Sequence, residues 1–253
     1  MGSGGTRPVD PGDRALTAFR DALLLGLSLA AGTVDAVVFL RLAQVFVANM
    51  TGNTVLLGLA VGQVHPQAAV RSVVALAAFC FGVAVAATIT LFFPQGPQPA
   101  QPWPPVTNLL LGMEAVLLAC ATLLWQLTGG AGEVLVLLLI ALTAIVMGVQ
   151  SGAARSMGVG GVATTYVTGA LTNAVSGLLG NAVSSRRAPT SSAARRLGTL
   201  SLSVWAAYGA GAVLAGAGSL ALGSGVLWVS VGVLAAITAA ALVWRARASS
   251  TDR

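Results

Sequence analysis

Apolar residues fill eight successive blocks of this chain: residues 20–41, 43–62, 68–93, 106–128, 133–156, 158–180, 198–222 and 225–244. One helical passage through a bilayer takes about twenty such residues. Polar positions gather between the blocks, in "PQGPQPAQPWPP" from Pro94, "TGGAGE" after the fourth block and "NAVSSRRAPTSSAARR" after the sixth. Two blocks break the rule. The second, "QVFVANMTGNTVLLGLAVG" from Gln44 to Gly62, is apolar at both ends but carries Asn49, Thr51, Gly52, Asn53 and Thr54 in its middle. The sixth, "GVGGVATTYVTGALTNAVSGLLG", is polar in its middle too. Each reads as a short extended stretch followed by a half-helix. In the second block Thr51 is expected to cap a helix starting at Gly52–Asn53, and Thr168-Gly169 is read the same way.

Composition narrows the class. The chain is 56% hydrophobic and 8% charged, with a mean hydropathy of +0.88, whereas soluble domains carry about 25% charged residues. Too few charges remain to coat a globule in water, so the bilayer is the expected partner. The strands of an outer-membrane barrel alternate apolar and polar residues, and this chain does not. The fold class expected is therefore all-α membrane protein.

The net charge of +6 comes from 13 basic residues, all arginine. They cluster at block ends, the pattern of membrane loops, so nucleic acid is not an expected partner. Arg14 and Arg20 ahead of "ALLLGLSLAAG" resemble a signal peptide, but the apolar run continues to Leu40 and reads as a first span. Residues 1–14 and 248–253 read as tails, both cytoplasmic. Eight crossings would put the N-terminal tail, Arg71, the Arg186–Arg196 loop, Arg245 and Arg247 in the cytoplasm, with Arg41 and Arg155 outside. Eight is the expected number. The alternative has six spans with segments two and six re-entrant, Arg71 outside and the Pro-rich loop inside.

"GTVDAVVFLRLAQVFVANMTGNTVLLGLAVG" and "GVQSGAARSMGVGGVATTYVTGALTNAVSGLLG" share an order of features. Each has small residues late in a span, an arginine at its end (Arg41, Arg155), a β-branched run, a Thr-Gly step and a small-residue helix. The chain thus reads as two related four-segment repeats, residues 15–128 and 131–247. Internal repeats are the usual plan of secondary transporters, whose sites lie at mid-depth between the halves. On "VDA", "ANMTGN" and "TTYVTGALTNAV" the chain resembles the YoaK-like family of bacterial inner-membrane proteins. That resemblance implies a multi-pass protein of the cell membrane, described as a domain of unknown function, and supplies no substrate. Ala170 stands where the first repeat has Asn53, and Gln150 and Ser151 stand near the place of Asp35, so a site built on these residues is not duplicated.

A backbone broken at membrane depth is tolerated only inside protein or beside water, and a helix start there attracts anions and electron-rich groups. The candidate substrate-binding residues are accordingly Asp35, Asn49, Thr51, Gly52, Asn53, Thr168 and Gly169. Asp35 is the sharpest of them, because an acid near a helix centre costs about 2.5–3.5 kcal/mol to insert; its bland alternative is a cap or a partner for Arg41 or Arg155. Those two arginines are candidate anion ligands or ion-pair partners. Glu114, in the first third of the fourth span, reads as a snorkelling or paired acid near the interface, with a functional role as its alternative. Cys80 and Cys120 lie inside apolar runs and read as packing residues. His65, the single histidine, sits in a Gly- and Pro-flanked loop. No nucleophile–base set, phosphate loop or metal-ligand spacing is present, so no enzyme activity, cofactor or metal is expected. The function expected is a permease for a small polar solute or anion. The alternative is a non-transporting scaffold or accessory subunit that packs through small-residue faces, and a homo-oligomer is a candidate assembly.

Overall fold

The computed structural model describes residues 11–93, 105–157, 167–184 and 192–251. Among them the chain is helical and contains no strand: α1 Pro11–Val38, α2 Met50–Gly62, α3 Pro66–Phe92, α4 Pro105–Thr128, α5 Glu133–Ser156, α6 Val167–Ser184, α7 Ser192–Leu222 and α8 Leu227–Thr251. A π-helical turn, Phe39–Ala43, ends α1, and a 3-10 turn, Gly223–Val226, joins α7 to α8. Helix reaches further at both ends than the expected tails allow, to Pro11 and to Thr251.

Among the described residues, five stretches are long and apolar enough to cross a membrane, and the last of them, Arg195–Trp244, takes in most of both α7 and α8. Large apolar side chains such as Phe81, Val116, Val213 and Leu242 lie on the outside, as a lipid solvent requires. Cys80 and Cys120 are exposed there too, which corrects their reading as core packing.

Contacts along the helices give their directions. α1 and α7 run parallel, joined by Arg196 to Asp21 at one end, Thr33 to the Gly211 carbonyl (3.2 Å) in the middle and Arg41 to the Ser219 carbonyl at the other. α3 and α5 also run parallel, from the Arg71–Glu133 ion pair to Gly152 against Ala86. α8 is antiparallel to α1, with Phe19 stacked on Trp244 (4.7 Å) and Ser230 bonded to the Ala30 carbonyl. It is antiparallel to α4 as well, through Trp228 and Gln126 (3.0 Å). α4 and α5 form a hairpin closed by Gly129 and Gly130, whose positive φ the turn requires. α1, α4 and α7 therefore point one way and α3, α5 and α8 the other.

Both termini of the described chain lie at one end of this six-helix core, called here the near end. α1 finishes and α3 begins at the far end. The stretch between them, including α2, leaves the far end and returns to it. α2 has 13 residues, about 20 Å at 1.5 Å per residue, against a hydrocarbon core of about 30 Å. Likewise α5 finishes and α7 begins at the near end, so the stretch containing α6 leaves and returns there, with Gly198 of α7 close against Gly177 of α6. This corrects the eight-crossing expectation in favour of six, with segments two and six re-entrant. The arginines follow suit. In the described chain Arg14, Arg20, Arg155, Arg195, Arg196, Arg245 and Arg247 belong to the near end, and only Arg41 and Arg71 to the far end.

Glycine sets the two tightest seams. A Cβ on Gly32 would run into the Tyr208 carbonyl and one on Gly211 into the Leu29 carbonyl, where α1 crosses α7. Gly82 and Gly148 stand in the same way against the carbonyls of Ile145 and Phe79, where α3 crosses α5. Backbones in such close approach are how helices associate in lipid, where burial from water gives no driving force.

Candidate functional site: the broken segment and its two buried acids

The break in segment two begins with backbone strain. The π-helical turn of α1 ends at Gln44, whose φ of 54° is left-handed, a conformation costing a non-glycine residue about 1–2 kcal/mol. The chain then doubles back beside α1, burying Val45, Val47 and Ala48 and stacking Phe46 on Phe39 at 4.8 Å. Residues 44–49 form no helix, so their peptide groups need other partners.

Asp35 supplies most of them. Its Oδ1 accepts from the Val47 N–H (2.6 Å) and the Ala48 N–H (2.7 Å). Its Oδ2 accepts from the Asn49 N–H (3.0 Å) and from the Tyr208 hydroxyl of α7. Three successive amides form an anion-binding concavity, and here the anion is a side chain of the same protein. Four donors converge on the carboxyl, three of them backbone amides, which can only donate.

Asn53 completes the arrangement. Its amide accepts from the Phe46 N–H (2.9 Å) and donates to the Phe46 carbonyl (2.5 Å), engaging both backbone groups of one residue. Asn49 caps α2, its side chain accepting from the Gly52 N–H at 3.2 Å. The cap is therefore Asn49 with the helix starting at Met50, not Thr51 with a start at Gly52–Asn53; Thr51 lies exposed in the first turn. Gly52 faces the Phe46 ring, where a Cβ would be 2.8 Å from the ring carbon. The structure thus brings Asp35, Asn49, Gly52 and Asn53 together around the break, and it commits the amides that a ligand was expected to use.

Elsewhere the expected site residues disperse. The four partners of Asp35 include neither arginine: Arg41 holds the Ser219 carbonyl, and Arg155 is exposed at the near end of α5. Gly169 lies half-buried in the first turn of α6; the Thr168 side chain and the stretch "VATTYV" lie outside the described residues. Gln150 is buried and donates to the Leu27 carbonyl at 3.0 Å, tying α5 to α1. Tyr208 was not singled out by sequence reasoning. It lies 173 residues from Asp35, and no local signal links the two.

Glu114 is the second buried acid. It is not at an interface. It is fully buried in α4, and neither carboxyl oxygen has a hydrogen-bond partner. Among the described residues no three His, Cys, Asp or Glu side chains group as metal ligands would.

Comparison with known proteins fits this architecture. A family model described as "Protein of unknown function (DUF1275)" matches residues 23–240. The UPF0700 transmembrane protein YoaK of Bacillus subtilis (strain 168) is 38% identical over 154 residues, which is 60% of this chain and 64% of that protein. The chain thus spans a little under two thirds of the length of the curated relative it matches. No solved structure matches. The "VDA" and "ANMTGN" residues that suggested the kinship are those that build the Asp35 concavity, and with most of its length matched, this multi-pass transmembrane chain belongs to the DUF1275 family.

Proposed function

We propose that the protein is a small secondary transporter for a small polar solute or anion, built from two inverted repeats, α1–α4 and α5–α8, with its site at mid-depth between them. One observation carries the reading: exchanging the repeats maps the helix packing onto itself. The glycine seam of α1 with α7 becomes that of α5 with α3. The α2–α3 pair becomes α6–α7, the α4–α5 pair becomes α8–α1, and α4–α8 maps to itself. The equivalent helices α1 and α5 point in opposite directions, so the halves are inverted. α2 then enters from one face and α6 from the other, in keeping with the plan in which transporters place substrates at half-helix starts.

The same geometry sharpens the solute. Asp35 already fills the amides of residues 47–49, so an anion competes with it there. A polar solute bonding to Asn49, the exposed Thr51 and the start of α6 around Thr168 and Gly169 meets no such competitor. The arginine-rich near end is cytoplasmic by the positive-inside rule, which puts both termini in the cytoplasm of a bacterial cell membrane. The self-satisfied break favours a second reading, a scaffold that transports nothing.

Two measurements decide. Single cysteines at Thr51 and Thr168, probed with a membrane-impermeant maleimide, are expected to react from opposite faces; reaction of both from one face overturns the inverted repeat. Proteoliposomes on a solid-supported membrane, challenged with a panel of small polar solutes and inorganic anions, are expected to give a solute-dependent current that Thr51→Val reduces. Silence across the panel from well-oriented, folded protein favours the scaffold.

A further inference from the structure

We propose that Glu114 is a proton-binding site, taking up and releasing one proton at the seam between α4 and the second-half helices α5 and α8. The inference adds a coupling ion to the transporter reading, but the proton site is tested without transport.

Placement comes first. Thr107 and Ser156 meet at 3.0 Å across the antiparallel α4–α5 pair. Counting inward from that pair puts Glu114 level with Val149 and Gln150. Glu114 stands nine residues from Pro105 and fourteen from Thr128, about 13 Å and 21 Å along the helix, well inside the hydrocarbon depth. Leu110, Leu111 and Leu118 are buried on the same face. Ser28, next to the Leu27 carbonyl that receives Gln150, also buries a hydroxyl that has no hydrogen-bond partner.

Among the described residues, no charged group stands at this level on the elements packed around it. On α5, Glu133 and Arg155 stand at the two ends, and positions 245 and 247 of α8, both arginine, belong to its near-end turns. On α3, Arg71 is held at the far end by Glu133. On α1, Arg20 and Asp21 pair at the near end, and Asp35 is committed to the break. The 3-10 turn carries no titratable side chain, and Cys120 of α4 itself is exposed.

A bare carboxylate in such a place, with no donor and no counter-ion, is not sustained. The neutral acid is the form this packing admits. A divalent cation would need several more oxygen ligands, and no second carboxyl accompanies Glu114. A proton needs only the one oxygen. Release breaks the O–H bond of Glu114, passes the proton to water and leaves a carboxylate that the closed seam cannot solvate. Release therefore requires the seam to admit water, and reprotonation allows it to close.

The test uses dicyclohexylcarbodiimide, an apolar reagent that modifies protonated carboxyls in apolar surroundings, on the purified full chain, with peptide mapping by mass. Glu114 is expected to be labelled at acidic pH and to lose labelling at alkaline pH, while Asp35 stays unlabelled. Infrared spectra are expected to show a carboxylic-acid C=O band that fades over the same range and is missing in Glu114→Gln. An unlabelled Glu114 with no such band overturns the proposal, because the acid is then ionised. A band constant at every pH overturns it too, because the proton then never exchanges. Should Glu114→Gln fail to fold, labelling and spectra of the wild-type chain against pH decide alone. An exchanging Glu114 in a protein that moves no solute keeps this inference and sinks the transporter reading.

Discussion

Asp35 and Glu114 are both acids sealed inside the same helical bundle, and they are treated in opposite ways. Asp35 receives four donors, three of them backbone amides with no helical partner, and it ties α1, the break and α7 into one unit. Glu114 receives none. The difference shows that burial alone says little about an intramembrane acid. What decides its role is whether the surrounding backbone needs it. The amides of residues 47–49 need Asp35. Nothing around Glu114 needs a carboxylate.

Substitutions can break this contrast, in descending order of effect. Asp35→Ala leaves three buried amides and the Tyr208 hydroxyl without their acceptor. At about 1–3 kcal/mol for each orphaned group, and with losses of this kind seldom fully additive, a destabilisation of about 3–5 kcal/mol is expected, read as aggregation or a large fall in Tm in detergent. A Tm within a few degrees of wild type would show that the break is not held by this carboxylate. Asn53→Ala releases both backbone polar groups of Phe46 and is expected to cost about 2 kcal/mol, again by thermal unfolding, with faster proteolysis after Gln44 as the local sign. Tyr208→Phe removes one donor of four; about 1–2 kcal/mol is expected, and a double-mutant cycle with Asp35→Asn should show coupling between the two positions. Glu114→Gln sharpens the comparison from the other side. It removes an ionisable group that holds nothing, so a change within about 1 kcal/mol of zero is expected, by the same unfolding assay. Arg71→Gln, which loses a solvent-screened ion pair with Glu133, is expected to move stability least, leaving the Tm close to that of the wild type.

Much of this was legible in the chain. Apolar blocks of membrane length gave the helices, because lipid leaves the backbone no other way to span. The polar middle of segment two marked the break, and Asp35 and Asn53 were singled out there. What they bond to left no mark in the pattern, for a physical reason. A local pattern shows that free amides exist but not that a side chain twelve to fourteen residues upstream already fills them. The position of Tyr208 depends on the α1–α7 seam and has no local trace. Glu114 was placed near an interface because distance from the block edge was the available clue. Its depth follows from the α4–α5 register, which only the Thr107–Ser156 contact fixes. The number of crossings was misjudged because the charge rule weighs arginines equally. In the fold, the two at the far end are already spoken for, Arg71 by Glu133 and Arg41 by a carbonyl.

The glycine seam between α1 and α7 has a further consequence, for how the molecule is made. Thr33 and Gly211 lie 178 residues apart. A ribosome adding about 5–20 residues each second inserts the first helix roughly ten to thirty-five seconds before its main neighbour emerges. Throughout that interval α1 carries a buried-type carboxylate and a bare glycine groove into the lipid with no mate. Nascent chains stalled before residue 192 should therefore be the form most dependent on an insertase or chaperone that shields helices in the bilayer, and the form most readily degraded without one.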